Sequence, residues 1–176
     1  MTETQTVWIN QLKKGNELAA FNLYNDYSKA MYNTLTRITN DTETAKDLLQ
    51  EAFVKAFRKI HDLDDPQAFA GWLKRIVVNT GLEFIRKKKY LFEDIEEQSD
   101  IETEEVESSM IDTEVLHKAI QDLPDGCRAV LSLHLIEGYK HREIADQLGI
   151  SESTSKTQYK HAKRLLKVKL QHHYEY

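Results

Sequence analysis

Residues 141–170 read HREIADQLGISESTSKTQYKHAKRLLKVKL, and the fold turns on them. Ile144, Ala145 and Leu148 recur at helical spacing, and Gly149 stops that helix. Ser151 then stands where a cap is needed for a second helix running to about Gln171. Two helices joined by a tight glycine-containing turn make a helix-turn-helix, with Ile144, Ala145, Leu148 and Ile150 on its inner face. A second helix that enters the major groove needs polar and basic residues at its exposed N-terminal end. Ser151, Glu152, Ser153, Lys156, Thr157, Gln158, Lys160 and His161 fit that face. Lys163, Arg164, Lys167 and Lys169 extend the charge for phosphate contact, and Lys140 and Arg142 begin the preceding helix. The plain alternative is a helical hairpin with a solvated lysine-rich face. Spacing, cap and basic asymmetry together favour DNA.

On the N-terminal side of this motif, Leu116, Ala119, Ile120 and Leu123 predict a helix over 115–123. Pro124-Asp125-Gly126 reads as a turn, and 129–136 as a helix closed by Gly138. Before these lies EDIEEQSDIETEEVESSMIDTE, residues 93–114, with 11 Asp+Glu and no Lys or Arg. Such a block repels itself and buries too little surface to offset its ordering entropy, so it reads as an acidic linker, extended or disordered. The net charge of -5 is therefore a misleading sum. Residues 1–92 carry 14 Lys+Arg against 11 Asp+Glu, and residues 115–176 carry 10 against 7. Both flanking segments are mildly basic.

Residues 1–92 show only helical periodicity. A short amphipathic helix over 5–13 carries Val7, Trp8, Ile9 and Leu12. A longer one runs from Asn16 to Ile38, a third follows Asp41 as cap to Ile60, and His61–Asp65 is a polar loop. Asp65-Pro66 starts a helix that holds Phe69, Trp72, Leu73, Ile76, Val77, Leu82 and Ile85 and ends in Arg86-Lys87-Lys88-Lys89. Helix ends favour cations, which accounts for part of that cluster; nucleic-acid contact, supported by Lys74, Arg75 and Asn79, accounts for the rest. Phe69 and Trp72 could stack on bases, but their spacing with Ile76 makes them core. The expected fold class is all-α: two small helical domains, 1–92 and 115–176, joined by a flexible acidic linker, the second a helix-turn-helix.

Several classes are set aside. No apolar run approaches the ~20 residues that span a bilayer, and the N-terminus lacks a signal pattern, so the expectation is a soluble cytoplasmic protein. The single cysteine, Cys127, excludes an internal disulfide framework. The scattered histidines have no carboxylate or cysteine at ligand spacing, so no metal or other cofactor is expected. Neither a phosphate loop nor a nucleophile elbow is present, and with them goes the case for an enzyme.

The segments FNLYNDY, ETAKDLLQEAFVKAFRKI and FAGWLKRIVVNTGLEFIRKKK, followed by LPDGCRAVLSLHLIEGYKHREIADQLGIS and TSKTQYKHAKRLL, resemble the two conserved domains of extracytoplasmic-function (ECF) sigma factors. The resemblance covers about two-thirds of the chain, in that family's order. It implies a promoter-specificity subunit that binds core RNA polymerase, reads promoter −10 and −35 elements and helps melt the start site. It assigns polymerase docking to Asp47, Leu48, Gln50, Glu51 and Phe53. It assigns the −10 element to the loop from His61 and Asp62 to Asp65, with Lys74, Arg75, Asn79, Arg86 and Lys87. It assigns the −35 element to Arg142, Ser153, Lys156, Thr157, Gln158, Lys160 and His161. It also implies an anti-sigma partner, and no small-molecule substrate or membrane insertion. Departures from the family pattern are Ser155 for Val, and Gln158 and His161 for Arg. Ser155 is expected to weaken core packing by roughly 1–2 kcal/mol if buried, and Gln158, which can pair with adenine where Arg favours guanine, to shift the −35 preference away from the family's common sequence. The rival readings are a free-standing helix-turn-helix regulator and an adaptor protein with basic helices.

Overall fold

The computed structural model describes residues 2–87 and 112–174. All regular elements among them are helical, and the chain divides into two compact units, Met1–Ile85 and Arg86–Tyr176. The acidic block, apart from Asp112–Glu114, and Lys88-Lys89 lie outside the described residues.

The first unit contains α1 (Glu3–Leu12), α2 (Glu17–Thr39), α3 (Thr42–Arg58) and, as far as Ile85, α4 (Phe69–Lys87). Side chains set the starts. Thr2 and Gln5 form a reciprocal capping box that starts α1 two residues earlier than apolar spacing alone predicts. Asn16 Oδ1 accepts from Ala19 N–H at 3.1 Å, and Asp41 Oδ1 from Thr44 N–H at 2.6 Å. Asn40, at φ 54°, takes the left-handed conformation that ends α2. Between α3 and α4 lie two 3₁₀ turns, Ile60–Asp62 and Pro66–Ala68. Asp65 caps the second by accepting from Gln67 N–H at 2.9 Å, so α4 itself begins only at Phe69.

One apolar cluster joins all four helices through Ile9, Leu23, Leu35, Leu48, Phe53, Phe69, Leu73 and Val77. Tyr24 meets Phe53 edge-on at 4.8 Å, and Tyr27 meets Phe69 at 5.3 Å. Each fully buried side chain of this size contributes roughly 1.5–3 kcal/mol. A Cβ on Gly81 would come within 3.1 Å of Leu35 Cδ2 and 3.3 Å of Ile38 Cγ2, so glycine is what lets α4 approach α2 there.

The second unit contains α5 (Thr113–Gln121), α6 (Asp125–Leu131), α7 (His141–Leu148) and α8 (Glu152–Tyr174). The expected turn at Pro124-Asp125-Gly126 is instead the start of α6: Pro124 is the cap and Gly126 is buried inside the helix. Proline needs no N–H at that position, which suits it to a first turn. After Leu131 the helix widens into one π turn, Ser132–Ile136, closed by Gly138 at φ 79°. Ile120, Leu123, Cys127, Leu131 and Ala162 form the core here.

Candidate functional site

In the helix-turn-helix, Gly149 adopts φ 69° and its N–H donates to Ala145 O. Residues with a side chain adopt that conformation at a cost, so glycine fixes the turn. Ser151 Oγ accepts from Thr154 N–H at 2.9 Å and caps α8. Ile144 and Leu148 are buried, as is the small Ala145.

Helix α8 then divides by face. Ser155, Gln158 and Ala162 are buried, three and four residues apart as one helical stripe requires. Ser153, Lys156, Lys160 and Lys163 are exposed and Thr157 is half-buried, on the opposite stripe. Lys156 Nζ pairs with Glu152 at 2.6 Å. Both partners are exposed, so the pair adds little stability and leaves the lysine available to a stronger anion. His161 is half-buried, and burial followed by the Arg164 charge pushes its pKa down, so near neutrality it is an uncharged ring. Arg142 is exposed at the start of α7.

Gln158 requires a correction. It is 3% exposed, and its Oε1 accepts from Cys127 Sγ at 3.0 Å. A side chain bonded into the core cannot read adenine, and the predicted shift of −35 preference loses its basis. The helix phase explains the error: Gln158 lies one turn from Ser155 and one from Ala162. Ser155 is buried, as the comparison with valine anticipates, but it is not an unpaired hydroxyl. His141 Nδ1 lies 2.9 Å from its Oγ, which offsets the cost of burying it.

That histidine belongs to a group the sequence does not announce. The His134 and His141 rings stack at 4.2 Å, and Tyr159 meets them edge-on at 4.8 Å and 5.5 Å. His134 Nδ1 lies 2.8 Å from Tyr139 O. Burial, then the neighbouring His134 and Lys156, push the His141 pKa down, against the opposing pull of Glu152. Arg128 was likewise unforeseen. Fully buried, it donates from Nη1 to Leu123 O at 2.7 Å and Gln121 O at 3.3 Å, and from Nη2 to Asp125. The available signal was Asp125 three residues before Arg128 at a helix start.

In the first unit, Asp47, Gln50 and Glu51 are exposed along one face of α3, continued by Val54. Leu48 and Phe53, assigned to docking with them, lie in the core at 7% and 3% exposure. This is a second correction: they hold the helix from beneath and offer a partner no surface. Glu51 pairs with Lys55 at 2.8 Å, and Lys55 reaches Glu83 on α4 at 3.1 Å.

On α4, Arg75 and Arg86 are exposed and Asn79 is half-buried. Steps of four and seven residues nearly close whole turns, so these three share a stripe. Lys74 and Lys87 flank it on either side. His61 and Asp62 are exposed on the first 3₁₀ turn, beneath which Ile60 and Leu63 are buried. Phe69 is fully buried and packs with Trp72 at 6.0 Å, so both serve the core.

Residues 23–90 match the family model described as Sigma-70 region 2, and residues 113–166 match Sigma-70, region 4. The chain is 31% identical over 176 aligned residues to the ECF RNA polymerase sigma factor SigW of Bacillus subtilis, covering 92% of this chain and 94% of that protein. It is 25% identical to the ECF RNA polymerase sigma-E factor of Haemophilus influenzae over 96% of each chain. Among solved structures, CnrH in complex with the cytosolic domain of CnrY shares the fold with a TM-score of 0.53 at 21% identity, covering 96% and 98% of the two chains. The sigma factor RpoE of Bartonella quintana, in complex with the anti-sigma factor NepR, aligns with a TM-score of 0.52 at 18% identity, covering 85% and 97%.

Proposed function

The chain belongs to the ECF-type sigma factors of bacterial RNA polymerase, and on that premise we propose which of its residues do the work. As a sigma factor it binds core RNA polymerase and directs promoter-specific initiation; it is not an enzyme. A free-standing helix-turn-helix regulator has no use for a region 2 domain, which sets that reading aside.

The observation that carries the assignment is the division of α8 into a buried and an exposed stripe. Ser153, Lys156, Thr157 and Lys160 face outward at the N-terminal end of the second helix of the motif, where base edges and phosphates of a duplex −35 element are reached. Arg142 and the half-buried His161 flank that stripe. Asp47, Gln50 and Glu51 form the polymerase-docking face, carried on Leu48 and Phe53. His61, Asp62, Lys74, Arg75, Asn79, Arg86 and Lys87 form the −10 surface, which holds the unpaired strand. The acidic segment 93–114 suits a basic polymerase channel that otherwise holds nucleic acid. The work is done in the cytoplasm, where the polymerase is. A protein that restrains this sigma factor is a further expected partner, in keeping with the anti-sigma complex recorded for the RpoE neighbour.

Reconstituted transcription with core polymerase and a promoter library tests these roles. Lys156→Ala with Lys160→Ala should weaken use of −35-dependent promoters and lower the salt slope of binding by about two, with core affinity unchanged. Asp47→Ala with Glu51→Ala should weaken core binding at every promoter. Full core affinity in the second variant would overturn the docking assignment.

A further inference from the structure

The loop proposed to meet the −10 strand is held from a distant part of the chain. Lys13 directly follows α1, and its Nζ donates to the main-chain carbonyl of Leu63 at 2.5 Å, across 50 residues of sequence. Ile9 is fully buried one turn earlier, so Ile9 and Lys13 share a face of the chain. Ile9 enters the core, and the half-buried lysine places its ammonium on the loop.

The loop itself is pinned inward at Ile60 and Leu63, 2% and 3% exposed. It presents His61, Asp62, Asp64 and Asp65 to solvent. Local bonds run from Asp62 N–H to Lys59 O at 2.9 Å and from Ala68 N–H to Asp65 O at 3.0 Å. These shape the two ends. The Leu63 carbonyl lies between them, and Lys13 satisfies it. Three exposed carboxylates in five residues would repel an incoming phosphate backbone, and the ammonium puts a positive charge at the centre of that run. A long flexible side chain gives up rotamer freedom to be held this way. What it gains is one fixed loop conformation.

We infer that Lys13 is a positioning residue for promoter melting: it fixes the shape and offsets part of the negative charge of the 61–65 loop that receives the unpaired −10 strand. The inference rests on that loop being the −10 contact. Lys13 itself touches no DNA in this role.

The test uses the full chain with core polymerase on a duplex promoter, reading core affinity by competition and strand opening by permanganate reactivity of unpaired thymines. Lys13→Met keeps the stem and removes the donor and charge. It should lower opening about tenfold while core affinity stays within about twofold, and Lys13→Arg should recover most of the loss. Opening by Lys13→Met at the wild-type level would overturn the inference. So would equal losses of opening and core affinity, the mark of general unfolding. His61→Ala with Asp62→Ala separates the two layers. If that variant loses opening and Lys13→Met does not, the loop reading stands and the role of Lys13 falls. If neither loses opening, the loop reading falls and takes the role of Lys13 with it.

Discussion

Phe69 and Arg128 are among the largest side chains that the chain buries completely, and their units hold them in opposite ways. Phe69 sits among Leu73, Val77 and the rings of Tyr27 and Trp72, where shape and apolar area decide the energy. The buried hydroxyls Thr34 and Thr39 of that unit bond back to their own helix, at Ala30 O and Leu35 O. Arg128 is held by directed bonds to two carbonyls and a carboxylate. Elsewhere in the second unit the buried Ser155 and Gln158 are paired with His141 and Cys127, whereas the buried Ser132 hydroxyl has no hydrogen-bond partner. The unit proposed to grip polymerase and melt DNA thus has a core held by apolar packing, its buried hydroxyls bonded locally. The unit that carries the helix-turn-helix adds to its apolar core a set of directed hydrogen bonds, which depend on angle and protonation.

Four measurements bear on this contrast, with stability read in each by hydrogen exchange of the full chain resolved by unit. The largest effect is expected from Phe69→Ala, which should cost the first unit about 4 kcal/mol through lost transfer energy and a residual cavity, with Phe69→Leu recovering much of it. Arg128→Ala should cost the second unit about 3 kcal/mol, because the carbonyls of Gln121 and Leu123 lose their donor. Here Arg128→Lys should recover little, since one ammonium cannot replace the guanidinium fork. Equal rescue by the conservative change at both positions would erase the distinction. Gln158→Arg should cost about 2 kcal/mol by forcing a charge into or out of the core, while leaving base preference at −35 unchanged in binding to randomised duplexes. A changed preference would return residue 158 to the DNA face.

The smallest effect is a pH dependence. Folding holds the His141 pKa below its ordinary value of 6.5. The unfolded chain therefore takes up more protons as pH falls below that value. The associated stability is complete above it and is lost as pH drops through the folded pKa. Unfolding followed from about pH 7.5 to about pH 5.5 should show the second unit weakening, and His141→Gln should flatten that response. A second unit whose stability is constant over the range would rule this out.

The same contrast explains what the sequence made legible. Apolar periodicity and caps are local, so Asp41, Asp65, Ser151 and Gly149 could be placed in the roles they occupy, and the all-helical fold followed. Which polar side chain a helix buries is not settled by apolar periodicity. Nothing in the composition of Gln158 says that it faces Cys127, and its neighbours Thr157 and Lys160 argue the other way. The π turn at Ser132–Ile136 leaves no mark on the apolar pattern, and Lys13 reads as an ordinary surface lysine until its partner 50 residues away is known. Leu48 and Phe53 were assigned through a resemblance, which transfers a helix but not the direction of each side chain.

The Cys127 thiol gives the second unit a built-in clock. It is the chain's single cysteine, fully buried, and burial pushes its pKa to about 11. Thiolate, the form that alkylating reagents attack, is therefore scarce while the unit is closed. With reagent in enough excess that reaction outpaces reclosing, labelling of unmodified full-length chain should advance at the rate at which α6 and α8 part. The same reagent can then time that opening in the free chain, on core polymerase and on promoter DNA, with no dye attached and no residue replaced.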